Sequence, residues 1–475
     1  MNPLSKKLMR AWADAGPRFL PFADAATPEL PLSRLLRLSL FQVSVGMALV
    51  LLVGTLNRVM IVELGVPASL VAVMISLPVL FAPFRALVGH KSDNHQSALG
   101  WRRVPFIWRG TMVQFGGLAI MPFALLVLSG GGTSAQWPAW IGQAGAGIAF
   151  LLVGAGLHIT QTAGLALATD LAPEESHPRV VGLMYVMLLL GSIVSALLFG
   201  ALLQEFNPGR LIQVIQGSAI ATIVLNALAL WKQELRRPLR GLQAHKAAPS
   251  FRDSWGSFAS GAGALRRLLA VGLGTMAFSM QDVLLEPYGG EILNLTVSAT
   301  TVLTATLAMG GLVGFWVASH VLSKGADAFR ISSHGALCGV VAFLAVIAAA
   351  SLQSTLLFGA GVLLIGLGGG LFGHGTLTAT MNLAPKDQAG LALGAWGAVQ
   401  ATAAGVAVAL GGIGRDLVQT MASHGALPQR WSGPASGYIA VYSLEVLLLL
   451  ATLVAMAPLI RRTVHHGTVV SATGD

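Results

Sequence analysis

The sequence is poor in charged residues, which are what keeps a soluble protein in water. Only 10% of its 475 residues are Asp, Glu, Lys or Arg, whereas roughly 25% of a soluble domain is charged. Hydrophobic residues make up 55% of the chain, and the mean hydropathy is +0.73. This amount of polar surface could not cover a soluble globular protein of this size. The sequence therefore indicates an integral membrane protein.

Cysteine and the usual enzyme motifs are also scarce. The chain has a single cysteine, Cys338, in an apolar stretch. Because there is only one, an internal disulfide and any Cys-x-x-Cys metal or redox motif are excluded. The chain contains no Walker A loop, no Gly-x-Ser-x-Gly elbow and no His-Glu-x-x-His metal motif. We therefore expect neither an enzyme with catalytic residues nor ATP-driven transport by this chain alone.

Long apolar runs are what the sequence has in abundance. A bilayer core of roughly 30 Å needs about 20 apolar residues per helix. That window predicts twelve transmembrane helices, over residues 38–61, 68–89, 105–129, 141–168, 180–203, 210–231, 267–289, 297–322, 331–350, 355–381, 389–413 and 436–459.

An internal repeat divides the helices into two sets of six. The string DLAPEE at 170–175 recurs as NLAPKD at 382–387, an offset of 212 residues, and each copy follows the fourth helix of its set. Two repeated six-helix bundles predict the all-α fold of the major facilitator superfamily. The predicted domains are a basic N-terminal segment (1–37), a first bundle (38–231), a linker (232–264), a second bundle (265–460) and a tail (461–475).

The positive charges predict the orientation in the membrane. Most of the 29 Lys and Arg fall in the termini, the linker and the even-numbered loops; those predicted on the opposite side are Arg58, Arg210, Arg415 and Arg430. Because Lys and Arg accumulate in cytoplasmic loops, we expect both termini, the linker and the tail to be cytoplasmic. The net charge of +10 then reflects topology, and no nucleic acid is expected as a partner.

Charged residues inside the predicted helices are candidates for function, because they are costly in a bilayer. Arg58 lies late in the first helix, and Asp282 and Glu286 lie in the seventh. Aligning LNRV (56–59) with MQDV (280–283) places opposite charges at equivalent positions of the two halves. We expect Arg58 to meet Asp282 or Glu286 across the interface, either as a fixed lock or as a gate. Glu445 has no partner that the sequence indicates.

Two histidines and one arginine are candidate pigment-binding residues. His158 and His374 lie in glycine-rich, apolar stretches of the fourth and tenth helices. A neutral imidazole can ligate the magnesium of a chlorin ring, or it can simply bond a neighbouring helix. Arg85 in the second helix either extends its guanidinium to the membrane surface or binds an anionic group of a ligand. No other metal site is expected. The fourth, fifth, eighth and tenth helices show no carboxylate relay, which argues against a proton-coupled exporter.

The loop after the second helix carries a degenerate superfamily motif. GHKSD at 89–93 resembles the Gly-x-x-x-Asp loop through Gly89 and Asp93, but the usual Arg-x-Gly-Arg does not follow. The basic pair Arg102 and Arg103 comes later in the chain. We therefore do not expect a standard gating latch here.

Several strings together resemble the PucC family, the bacterial chlorophyll delivery branch of the major facilitator superfamily. They are LNRVMIVELGVP (56–67), GHKSD (89–93), ALGWRRVP (98–105), DLAPEE (170–175) and QDVLLEPYGG (281–290), and the similarity runs from about residue 30 to 460. The resemblance implies an assembly factor that brings bacteriochlorophyll to light-harvesting antenna polypeptides in the intracytoplasmic photosynthetic (inner) membrane of a purple bacterium. The implied partners are those polypeptides, bacteriochlorophyll synthase, the reaction centre and membrane lipids.

The sequence is also compatible with other hypotheses of function. Within the family, the chain looks somewhat more like the LhaA-type branch, which serves the core antenna, than the branch serving the peripheral antenna. A secondary transporter of a hydrophobic small molecule is one alternative, for which Asp282 and Glu286 are the attractive coupling residues. The other is a membrane chaperone that shields antenna helices and holds no pigment.

Overall fold

The computed structural model describes residues 22–78, 88, 92, 100–129, 136–173, 176–234, 263–383, 389–426, 428 and 433–460, and no β-strand occurs among them. The main helices, numbered in chain order, are α1 (Leu32–Glu63), α2 (Ala68–Ser76), α3 (Val104–Leu128), α4 (Ala139–Asp170), α5 (His177–Leu202), α6 (Pro208–Leu230), α7 (Ala264–Glu291), α8 (Val297–Ser323), α9 (Ala328–Leu352), α10 (Thr355–Leu383), α11 (Ala389–Ser423) and α12 (Ser436–Met456).

The exposed faces of the helices are apolar, and a number of polar side chains are buried between them, as is typical of a membrane protein. Within the described residues, eleven helices are long and apolar enough to cross a bilayer. Phe123, Trp140 and Leu356 are exposed, whereas Gln42 and Asn226 are fully buried. Asn226 donates to Thr111 Oγ1 at 2.8 Å, so the polar groups satisfy one another away from lipid. The predicted all-α fold is confirmed.

Some helix boundaries differ from the predicted ones. Helix α1 begins at Leu32, six residues before the predicted start. Helix α11 runs to Ser423, although its predicted end was 413. The cause is Arg415, which the apolar window treated as a loop residue. Its charge is matched inside the bundle by Glu291 at 2.5 Å and Asp416 at 2.8 Å. Helix α2 is described over Ala68–Ser76, and residues 79–87 and 89 of its predicted span lie outside the described residues.

Two helices depart from α-helical geometry at matching places in the two halves. Helix α1 is π-helical over Val50–Leu56 and Val59–Glu63. Helix α7 changes from α-helix to a 3₁₀ turn over Met280–Val283 and then continues as Leu285–Glu291. Irregular turns in transmembrane helices are frequent at functional sites, and interruptions at corresponding positions of two repeats point to a binding region.

Glycines bring α8 and α10 into backbone contact. A Cβ atom on Gly310 would stand 2.1 Å from the carbonyl oxygen of Leu363, and one on Gly366 would stand 2.0 Å from that of Leu307. Gly314 and Gly370 repeat this one turn further along, so each helix presents a Gly-x-x-x-Gly face to the other. Small residues at such spacing are what allow membrane helices to pack closely.

Ion pairs and hydrogen bonds connect the helices at one end of the bundle. We call it the linker side, because α6 ends there and α7 begins there; the opposite end is the far side. Arg102 and Arg103 both reach Asp170 Oδ2, at 2.8 and 2.9 Å. The Glu234 carboxylate accepts from the backbone N–H groups of Arg102, Arg103 and Val104, at 2.7 to 3.0 Å.

Neutralising Glu234 is expected to destabilise this end. The carboxylate satisfies amides at the N-terminus of α3, where a negative charge is also favoured by the helix dipole. We expect Glu234→Gln to cost about 1–2 kcal/mol, measured as a lower midpoint of thermal unfolding in detergent. Glu205→Gln is the control, because Glu205 is 84% exposed and pairs only with the exposed Arg210. An equal loss in both variants would contradict the capping role.

Candidate functional site

The two halves are joined by polar contacts near the far side. Asn57 donates from Nδ2 to the carbonyl oxygen of Val283 at 2.9 Å. Thr55 and Thr301 share a hydrogen bond of 3.3 Å. Asp416 accepts from the backbone N–H of Ser69 at 2.6 Å. The irregular turn of α1 therefore lies directly against the irregular turn of α7, and the interface between the halves is closed at this level.

The predicted pairing of Arg58 with Asp282 or Glu286 is not formed. Arg58 makes its ion pair with Glu63 on its own helix, while Thr304 donates a hydrogen bond to Glu286. The reason lies in the π-helical turn, whose hydrogen bonds run from i to i+5 and so bring residues five apart together. Arg58 nevertheless crosses the interface, because it donates to the carbonyl oxygen of Leu295 at 3.2 Å.

Asp282 lies in the 3₁₀ turn of α7 and has a different neighbourhood from the predicted one. Gln281 donates from Nε2 to Asp282 Oδ1 at 2.5 Å, and α12, which carries the fully buried Glu445, packs against this turn. Sequence reasoning missed Glu445 as its neighbour, since 163 residues separate them in the sequence and no motif links them.

His374 lies in an aromatic cluster between the two halves. Its ring centroid is 4.2 Å from that of Phe315 on α8 and 6.3 Å from that of Phe22, which precedes α1. Phe22 also packs on Gly182 of α5, where a Cβ atom would be 2.9 Å from the ring. The Nδ1 atom of His374 is buried and has no hydrogen-bond partner. Aromatic neighbours and an unsatisfied imidazole nitrogen are chemically suited to a flat pigment ring that carries a metal, although Phe22 fills the space beside His374 here.

The other candidate pigment and loop residues are less informative. His158 is half-buried on α4. The glycines before it serve helix packing, since a Cβ atom on Gly156 would stand 2.3 Å from the backbone nitrogen of Gln114. Arg85, Gly89 and Asp93 lie outside the described residues. Within the described residues no group of three or more His, Cys, Asp or Glu side chains could hold a metal ion.

A groove on the first half has a volume of about 680 Å³. Apolar residues such as Met47, Leu198 and Leu202 line it, and Arg210 stands near the far-side end. It contains no histidine, so it offers no axial ligand for magnesium. His374 is therefore the better-placed candidate of the two regions.

These features define the class of the molecule. It is a multi-pass membrane protein with the fold of major facilitator transporters. Its fold is similar to a bacterial homologue of the iron transporter ferroportin (TM-score 0.63, 16% identity, covering 90% of this chain and 98% of that one). It is likewise similar to a bacterial homologue of the lysosomal transporter Spinster (TM-score 0.61, 13% identity, covering 90% and 94%).

The chain belongs to the PUCC protein family, whose family model matches residues 55–464. It is 62% identical to Protein PucC of Rhodovulum sulfidophilum over 88% of this chain and 93% of that protein. It is 57% identical to Protein PucC of Cereibacter sphaeroides over 97% and 98%. A more distant relative, 27% identical over 81% and 88%, is the bacteriochlorophyll synthase 44.5 kDa chain of Rhodobacter capsulatus. The resemblance drawn from the sequence strings is confirmed.

Proposed function

We propose that this protein is an assembly factor for a light-harvesting antenna, which binds bacteriochlorophyll and delivers it to antenna polypeptides within the photosynthetic membrane. Membership of the PUCC family supports this role, as does the name of the bacteriochlorophyll synthase chain among the relatives. The core antenna is the favoured client, and bacteriochlorophyll synthase and the reaction centre are proposed partners. The basic linker side is proposed to face the cytoplasm.

The observation that carries the proposal is the unsatisfied ring nitrogen of His374 in its aromatic cluster. His374 would supply the axial ligand for the pigment magnesium, and Phe315 would pack against the ring. When bound, the pigment supplies a light-absorbing ring and a metal that one histidine holds reversibly. A buried polar atom without a partner costs free energy, so a ligand that satisfies it is favoured.

Removing the imidazole is expected to remove the pigment. We expect His374→Ala, purified in mild detergent and incubated with bacteriochlorophyll, to retain less than about a tenth of the wild-type pigment, because a tenfold change needs only about 1.4 kcal/mol. His424→Ala is the control, since His424 is exposed and bonds its own helix at Thr420. Equal pigment absorbance in His374→Ala and His424→Ala would contradict the assignment, and His158→Ala tests the second candidate.

Phe22 occupies the space beside His374 and must leave before a pigment can stack there. Its backbone φ of +62° lies in the left-handed region, which a bulky residue adopts only when its surroundings hold it. Aromatic pairs contribute about 0.5–1.5 kcal/mol each. We therefore expect Phe22→Ala to bind bacteriochlorophyll roughly fivefold more tightly in a fluorescence titration. Weaker binding by Phe22→Ala would show that Phe22 supports the pigment instead.

A secondary transporter of a hydrophobic molecule is the second candidate function. The matching irregular turns of α1 and α7 favour it, because such turns form substrate sites in transporters. Uptake of a hydrophobic dye by proteoliposomes under an imposed proton gradient distinguishes the two functions. Gradient-driven accumulation would favour transport, whereas its absence together with pigment binding would favour delivery.

A further inference from the structure

Two acidic residues lie on neighbouring elements inside the second half. Asp282 lies in the 3₁₀ turn of α7, and Glu445 lies on α12, which packs against that turn. Glu445 is completely buried, whereas Asp282 is half-buried. Two unbalanced negative charges in so apolar a setting would be very unfavourable.

The cations on the neighbouring helices are already paired elsewhere. Arg58 of α1 pairs with Glu63. Arg415 of α11 pairs with Glu291 and Asp416, and its guanidinium lies 4.7 Å from the ring centroid of Tyr438. The described part of α2 carries no charge, and within α7 the Glu286 carboxyl accepts from Thr304. The nearest described arginines thus leave the charges of Asp282 and Glu445 unbalanced.

Several buried oxygen atoms around the pair lack a hydrogen-bond donor. Glu445 Oε1 and Oε2 make no hydrogen bond of ordinary geometry, although the Gln281 backbone approaches them. Gln281 Oε1 is unpartnered on a side chain that is 2% exposed, and Tyr442 Oη is unpartnered on a side chain that is fully buried. By contrast, Tyr288 and Tyr438 are satisfied by Val346 and Glu291. Carboxylate, amide and hydroxyl oxygen atoms are suited to binding a small cation.

We propose that Asp282 and Glu445, with Gln281 and Tyr442, form a binding site for one monovalent cation, a proton or sodium. A cation would reach Asp282 first, since that side chain keeps some accessibility, and would then be shared with the buried Glu445. The 3₁₀ turn of α7 touches α1, α2, α11 and α12. Loading and release of the cation therefore act where the two halves meet, and give the protein an ion-dependent state separate from pigment binding at His374.

Chemical labelling tests the site directly. Dicyclohexylcarbodiimide modifies protonated carboxyl groups in apolar surroundings. The purified full-length protein is labelled at mildly acidic pH in sodium-free choline buffer. We expect peptides with Asp282 or Glu445 to be labelled about tenfold more than the peptide with the exposed Glu205, because a tenfold difference in protonated fraction corresponds to one pH unit. Protection by added sodium identifies sodium as the cation, whereas unchanged labelling identifies the proton.

Thermal unfolding provides a second measurement with matched variants. A cation that binds only the folded protein raises its melting temperature. We expect sodium or mild acid to raise the wild-type value by about 3 °C or more relative to the double variant Asp282→Asn/Glu445→Gln. Glu445→Gln alone preserves the shape of the side chain if the double variant does not fold. The proposal is overturned if neither carboxyl is labelled above Glu205 and the wild type and variants respond equally to sodium and pH.

Discussion

Replacing Gly366 with leucine is expected to abolish accumulation of the folded protein. The added side chain would start at a Cβ position only 2.0 Å from the carbonyl oxygen of Leu307 and 2.9 Å from the backbone nitrogen of Gly311. These are backbone atoms, so α8 and α10 must separate along the whole Gly-x-x-x-Gly face. Overpacking of this kind costs about 3 kcal/mol or more. The measurement is the yield of monodisperse protein and its midpoint of thermal unfolding.

Gly359 provides the matched control on the same helix. A Cβ atom at Gly359 meets nothing within 4 Å, so Gly359→Leu places the same side chain in open space. We expect its yield and melting temperature to equal those of the wild type. If Gly366→Leu and Gly359→Leu behaved alike, the close packing of α8 on α10 would not be a main source of stability.

Removing the guanidinium of Arg58 is expected to produce the second large loss. The Arg58 side chain is 5% exposed, pairs with Glu63 and bonds the second half at Leu295. Arg58→Met keeps much of the volume but leaves Glu63 and the carbonyl oxygen of Leu295 without their partner. Breaking a buried pair by removing one member costs about 3–5 kcal/mol. Because Glu63 is 37% exposed, we expect roughly 2–3 kcal/mol, measured by denaturant titration.

Arg210 is the control for this prediction, because it also pairs with a glutamate five residues away. The Arg210–Glu205 distance is 3.1 Å, but the two side chains are 43% and 84% exposed. Water therefore screens this pair, and Arg210→Met should change stability by no more than about 0.5 kcal/mol. In addition, Glu63→Arg should restore part of the stability of Arg58→Glu, whereas Asp282→Arg should not. Rescue by Asp282→Arg but not by Glu63→Arg would show instead that Arg58 pairs with Asp282, as the sequence predicts.

Much of the fold follows from the sequence, because apolar runs of bilayer length have few alternatives to helices. The bounds of α8 differ by one residue from those predicted. Apolar runs do not predict the end of a helix correctly where a charge is neutralised by a distant residue. Arg415 seemed to end α11, but its partner Glu291 belongs to α7. Likewise, the π-helical turns of α1 have no signature in an apolar pattern, so the register that joins Arg58 to Glu63 could not be predicted.

The candidate site was only partly predictable. Composition singled out His374, because a histidine among glycines and apolar residues is conspicuous in a membrane helix. Its neighbour Phe22 could not be predicted, since their contact depends on how the segment before α1 packs between the halves. The Asp282 and Glu445 pair depends in the same way on the packing of α7 against α12. Individual unusual residues can thus be found in the sequence, whereas their partners require the three-dimensional arrangement.

Purification of the protein from a photosynthetic membrane, with pigments and polypeptides both identified, tests the proposed function most directly. We expect the wild-type protein to copurify with antenna polypeptides and bacteriochlorophyll. We expect His374→Ala to keep the polypeptides but lose the pigment. Antenna polypeptides without pigment in the wild type would indicate a pigment-free chaperone. Neither pigment nor antenna polypeptides in the wild type would contradict the account.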